Sequence, residues 1–168
     1  LPVMMGSAVQ QFNTVIDRTL ASSLVEGSIS ALTYASRLKD LIISVFVAAV
    51  TTVVFPMLSK AFSQEDIRQV KKILNQGINI ILIITVPATM GIIVLSEPIV
   101  RIFFQRGAFD SNATIMTSQA FIFYSLGLVG ASLRLMLNRV FYAFHDTKTP
   151  MLNGAFAVGL NIILNLIL

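Results

Sequence analysis

From Leu41 to Leu58 the chain carries no charged side chain. A helix needs roughly 20 apolar residues, at about 1.5 Å each, to cross the hydrocarbon core of a bilayer. In water such a helix would have to be buried on every side. The rest of the chain offers little polar surface to do that. Of its 168 residues, 12% are charged and 55% hydrophobic, whereas ordinary soluble domains carry about 25% charged residues. With a mean hydropathy of +0.82, the expected solvent is lipid. A soluble helical bundle with an unusually apolar surface is the lesser alternative.

Five helices of spanning length are expected, at about 2–23, 29–62, 68–104, 113–144 and 150–168. The first is interrupted by Gln10, Gln11, Asn13, Asp17 and Arg18, and the loop "VEGS" follows it. Ser28 is the expected cap of the second helix, and Pro56 an expected kink within it. An amphipathic linker over about 60–76 joins the second and third helices. Ser63, Glu65 and Asp66 there read as a helix start, with acids in the first turn. The apolar part of the third span is about 77–96, interrupted by Pro87 and Gly91, which spanning helices tolerate. Residues 97–112 read as a connector in which Gly107 ends a short helix. Asp110 or Ser111 caps the fourth helix, which is too long for one straight crossing and must tilt or project. Pro150 opens the fifth. The fold class is therefore an all-α, polytopic transmembrane helical bundle. The chain begins without Met and stops inside "NIILNLIL", so it reads as a piece of a longer membrane protein.

Several function classes drop out. Cysteine is absent and His145 is the single histidine, which removes thiol chemistry and makes a His-based metal site improbable. The formal charge of +4 forms no basic stripe with interleaved aromatics, so nucleic acid is not an expected partner. No nucleophile–base constellation is visible, and an enzyme is not expected. The excess positive charge instead marks cytoplasmic loops. Lys60, Arg68, Lys71, Lys72, Arg139 and Lys148 fall on one side and Arg101 and Arg106 on the other. The positive-inside rule puts the first group in the cytoplasm, with "VEGS" and "QRGAF" facing outward.

Ionisable residues within spans are costly and face a bundle interior, a watery cavity or an interface. On the first helix, Asn13 and Asp17 share a face while Arg18 points elsewhere. On the second, Arg37 and Asp40 are three residues apart and share a face with Tyr34 and Leu41; Lys39 lies about 200° from Arg37. Arg37 reads either as an interfacial anchor or as the lining of a cavity for an anionic substrate, with Asp40 orienting it. Its planar fork suits phosphate because it donates two parallel hydrogen bonds. Asn161 and Asn165 share a face of the last helix. They read as interhelical glue or as oxygen ligands for a hard cation. Arg134 is a cavity candidate deeper in the fourth span than Arg139.

Four stretches, "NTVIDRTLASSLVEGSISALTYASRL", "FPMLSKAF", "FFQRGAF" and "RVFYAFHDTKTP", resemble the MurJ/MviN family of lipid II flippases. These belong to the multidrug/oligosaccharidyl-lipid/polysaccharide flippase superfamily. The resemblance covers essentially the whole chain and implies part of a two-lobe, fourteen-helix transporter, roughly helices seven to eleven. It further implies a bacterial cytoplasmic (inner) membrane location, membrane lipids and a first lobe as partners, and lipid II as the anionic substrate. Alternating access would move that substrate between leaflets for cell-wall synthesis. In the family's "YA-x-R-L" stretch the Arg is a cavity residue, and here it is Arg37. The acid one turn later is Asp40, and the position before the Arg, often acidic in the family, is Ser36. Arg18 and Arg134 join the candidates for substrate binding. The resemblance also implies a sodium site at Asp17, Asn161 and Asn165, with Asn165 where an acid can stand, and no other cofactor. The rival readings are an O-antigen flippase or cation-coupled drug exporter of the same superfamily, and a membrane scaffold that transports nothing.

Overall fold

Residues 27–167 are described by the computed structural model; the first candidate span, with Asn13, Asp17 and Arg18, lies outside them. Helix α1 (Ser28–Ile42) follows Gly27, whose φ of 92° is a left-handed turn that glycine adopts without steric cost. Gly27, not Ser28, stands at the N-cap position, and Ser28 is the first helical residue. A π-helical turn (Ile43–Val47) joins α1 to α2 (Ala48–Ser63). The chain then turns through Gln64 to Asp66 into α3 (Ile67–Phe104), followed by α4 (Ser111–Leu126), α5 (Leu128–Ala143) and α6 (Lys148–Ile167). The described residues form helices and short turns only.

The expected helix start at Ser63 is corrected: Ser63 closes α2, its hydroxyl donating to the Lys60 carbonyl. The cap of α3 is Asp66, whose carboxylate accepts from the Gln69 N–H at 2.9 Å. The expected connector over 97–112 shrinks to residues 105–110, because α3 continues through Pro98 to Phe104. Its first turns and its span form one continuous helix of 38 residues, about 57 Å long at 1.5 Å per residue. Asp110, not Ser111, caps α4 by accepting from the Ala113 N–H at 2.8 Å. At the start of α6, the Thr149 hydroxyl and backbone N–H donate to Asp146. Those bonds hold its carboxyl below the usual range.

Length and apolarity suffice for crossing a membrane in two stretches, Ser28–Ser63 and Ile67–Phe104, and α4 with α5 makes a third if the bent pair is one span. That pair accounts for the excess length at 113–144, since it bends by 49° at Gly127. The outward faces are apolar: Ile83, Val94 and Ile102 on α3 are 72%, 77% and 79% exposed. A contiguous apolar surface of that kind is stable against lipid and not against water.

Two cores lie one above the other along the helix axes. α1, α4 and the second half of α3, with the first residue of α5, close around Ala35, Leu38, Ile92, Val100, Phe121 and Leu128. α2, α5 and the first half of α3 close around Val47, Leu58, Ile73, Ile81 and Met136. Ile43, in the π-turn, packs against both. α2 runs on through Pro56, and the irregular backbone lies about three turns earlier, at Ile43–Val47. The π-turn and the Gly127 bend thus fall where one core gives way to the other. Thr89 ties α3 to α4 at this level, donating to the Ser125 carbonyl at 3.2 Å.

Most buried hydroxyls are satisfied within their own helix: Thr85 donates to the Ile81 carbonyl and Ser132 to that of Leu128. Among the described residues Thr117 Oγ1 is the buried side-chain atom without a hydrogen-bond partner. An unmade buried hydrogen bond costs about 1–3 kcal/mol relative to an apolar group of the same shape. Thr117→Val is therefore expected to leave the thermal midpoint of the detergent-solubilised full-length protein unchanged or raised. A clear drop would show that the hydroxyl is engaged.

Candidate functional site

α1 buries Ala31, Ala35 and Leu38 against α4. At about 100° per residue, Arg37 is then rotated about 200° from Ala35 and Lys39 only about 40°. The two cations accordingly part company. Lys39 turns inward, with its ammonium 5.2 Å from the centroid of the Tyr124 ring on α4. Arg37 is exposed, and its guanidinium carbon stands 5.9 Å from the centroid of the Tyr34 ring.

The expected Arg37–Asp40 partnership does not form. Asp40 Oδ1 pairs with the Lys39 ammonium at 3.3 Å, and Oδ2 accepts from the Ser36 hydroxyl at 3.4 Å. Arg37 lies over Tyr34, one turn earlier, while Asp40 reaches back to Ser36 and sideways to Lys39. Lys39–Asp40 is the only ion pair among the described residues. Arg37 thus keeps a full positive charge with a neutral ring as its neighbour.

Tyr34 is itself held. Its ring lies 4.8 Å from Phe104 and 5.3 Å, edge to face, from Phe109. Both Phe residues pack on the core of the α1–α4 half. The turn between them is fixed by Arg101 Nε donating to Gln105 Oε1 at 2.9 Å and by Gly107, with φ 61°. The start of α1, the end of α3 and the start of α4 thus share one end of the bundle. Phe62 stacks on Phe144 at 4.4 Å at the other end, where Lys60, Arg68, Lys71, Lys72 and Lys148 lie. The two groups of loop charges separated in the sequence therefore occupy opposite ends.

A match to the family model for lipid II flippase MurJ extends over residues 1–168. The chain belongs to the MurJ lipid II flippase family. It is 39% identical to a probable lipid II flippase MurJ of Rickettsia prowazekii (strain Madrid E), over 99% of this chain and 33% of that protein. It is 36% identical to one of Rhizobium tropici, over 100% of this chain and 31% of that protein. A solved lipid II flippase MurJ in an inward closed conformation superposes with a TM-score of 0.85 at 38% identity, covering 99% of this chain and 35% of that one. The chain thus spans about a third of the length of the curated relatives it matches.

In this MurJ-family chain the remaining candidates are scattered. Arg134 is exposed on α5, about 200° from both buried Ser132 and Met136. It belongs to the half of the bundle opposite Arg37, and no contact joins the two. Arg139 is also exposed, nearer the end of α5. Asn161 is partly buried on α6. Asp17, Arg18 and the side chain of Asn165 lie outside the described residues, and among the described ones no cluster of three His, Cys, Asp or Glu could hold a metal. Sequence reasoning missed the seating of Tyr34 on Phe104 and Phe109 and of Lys39 on Tyr124. The signal for the first was available: "FFQRGAF" is dense in aromatics and returns the chain to the end where α1 starts.

Proposed function

We propose that this chain is the Arg37-bearing part of a bacterial inner-membrane transporter that flips lipid II by alternating access. The observation that carries the reading is Arg37 itself, a guanidinium exposed on a lobe of apolar faces, seated on a neutral ring, with the nearby carboxylate bound elsewhere. A cation at membrane depth is expensive, and an uncompensated one is suited to a pyrophosphate. The whole-chain likeness to proteins named lipid II flippases supports the same reading.

In this cycle the lobe would rock against a second lobe. Arg37 would engage the pyrophosphate while the polyprenyl tail stays in lipid, and opening to the other side would release it. The cycle makes and breaks no covalent bond, so the protein is a transporter and not an enzyme. Arg18 and Arg134 would add positive charge elsewhere along the path, and Asp40 would act indirectly, by holding Lys39. Sodium at Asp17, Asn161 and Asn165 would bias the cycle. The two Asn residues are four apart on α6 and so share a face.

The test is complementation. The full-length protein containing this chain is expected to restore growth and outward lipid II transport in a bacterium depleted of its own flippase. Stable, membrane-inserted protein that restores neither would favour another lipid-linked or drug substrate. In proteoliposomes, transport that is indifferent to sodium and to Asp17→Asn would remove the sodium site and leave the flippase reading standing.

A further inference from the structure

We propose that Tyr34 is a positioning residue for the substrate head group, acting through Arg37, and that the "FFQRGAF" turn exists in part to hold it. The inference rests on the reading of Arg37 given above and extends it to residues that touch no substrate.

A guanidinium on an exposed helix face has many rotamers, and ordering it on binding costs conformational entropy. Here it is placed over a ring at 5.9 Å. That ring is clamped between Phe104, the last residue of α3, and Phe109, just before α4. The clamp links α1 to a turn roughly 70 residues further along the chain, so it exists only once the bundle has formed. A ring attracts the guanidinium through its face and leaves the in-plane N–H donors free to meet a planar pair of phosphoryl oxygens. A carboxylate in the same place would also orient the fork, but it would occupy those donors and cancel the charge. The carboxylate within reach, Asp40, is engaged by Ser36 and Lys39. Tyr34 therefore fixes direction at no cost in charge.

The experiment is a double-mutant cycle on the purified full-length protein, with lipid II affinity in detergent as the readout. Tyr34→Phe keeps the ring and is expected to bind as the parent does. Tyr34→Leu removes the cation–π contact and is expected to weaken binding about 3- to 30-fold. In an Arg37→Ala background, Tyr34→Leu is expected to add nothing. Phe109→Leu, which loosens the ring without removing it, should show the same dependence on Arg37 and serves if Tyr34→Leu does not fold. An equal loss in both backgrounds would overturn the proposal and make the ring merely structural. So would a loss on Tyr34→Phe, or no loss on Tyr34→Leu with Arg37 present. If Arg37→Ala alone leaves affinity unchanged, it is the role of Arg37 in binding that falls, and the positioning role falls with it.

Discussion

Arg37→Glu in the full-length protein is expected to abolish growth when that protein is the sole flippase. Truncating one partner of a hydrogen-bonded charge pair at an interface costs about 2–5 kcal/mol, roughly 30- to several-thousand-fold in affinity at about 1.4 kcal/mol per decade. Glu goes further, since it sets a negative charge where phosphoryl oxygens would arrive. Arg37→Lys should be intermediate, because an ammonium keeps the charge and loses the two-pronged fork. Lys39→Met is the informative comparison. Lys39 is as close to Arg37 in sequence as a cation can be without adjoining it, but it faces Tyr124 on α4 and pairs with Asp40. Its loss should affect stability more than transport. Growth and lipid II transport that are unimpaired in Arg37→Glu at normal expression would end the assignment.

The second large effect concerns assembly and not transport. Gly77 is buried where α3 meets α2 and α5. A Cβ added there collides with Met136 Cε of α5 and lies 3.3 Å from Val54 Cγ2 of α2. Met136 is 1% exposed, so it has little room to retreat. Small residues let membrane helices approach closely where no hydrophobic force draws them together. Gly77→Leu is expected to destabilise the protein by about 3 kcal/mol, the upper part of the range for overpacking, and to lower its thermal midpoint in detergent accordingly. Gly77→Ala should cost less, because the colliding atom is the end of a flexible side chain. Adding Met136→Ala should restore part of the loss of Gly77→Leu, a coupling expected of residues in contact. If Gly77→Leu melts with the parent, the close approach of α3 to its neighbours is not what holds this half together.

How far the sequence could be read varied with the kind of signal. The second helix was legible almost to the residue, about 29–62 against Ser28–Ser63, because its charge-free core and the glycine before it are local facts. The third helix was longer than its apolar part, since a helix entering lipid need not stop at the interface and Asp66 had already capped it. The π-turn was not legible. Pro56 was the visible irregularity, but α2 runs on through it, and the charge-free π-turn carries no proline or glycine to mark it. At the site, helical periodicity alone separated Arg37 from Lys39, and the structure keeps them apart. The same periodicity joined Arg37 to Asp40, and there it misled. It reports which residues share a face and not which partner each side chain takes.

The sequence by itself determined the solvent and the all-helical class. Charge-free runs of spanning length leave a backbone in lipid no choice but to bond to itself as helix, and the loop charges separate into two groups because crossings alternate. Only the tertiary structure decided what surrounds Arg37. Its neighbour Tyr34 is positioned by Phe104 and Phe109, roughly 70 residues further along, and no local pattern encodes the distance between segments that meet only when helices pack. Whether a guanidinium in a membrane is neutralised by a carboxylate or merely steadied by a ring depends on that packing.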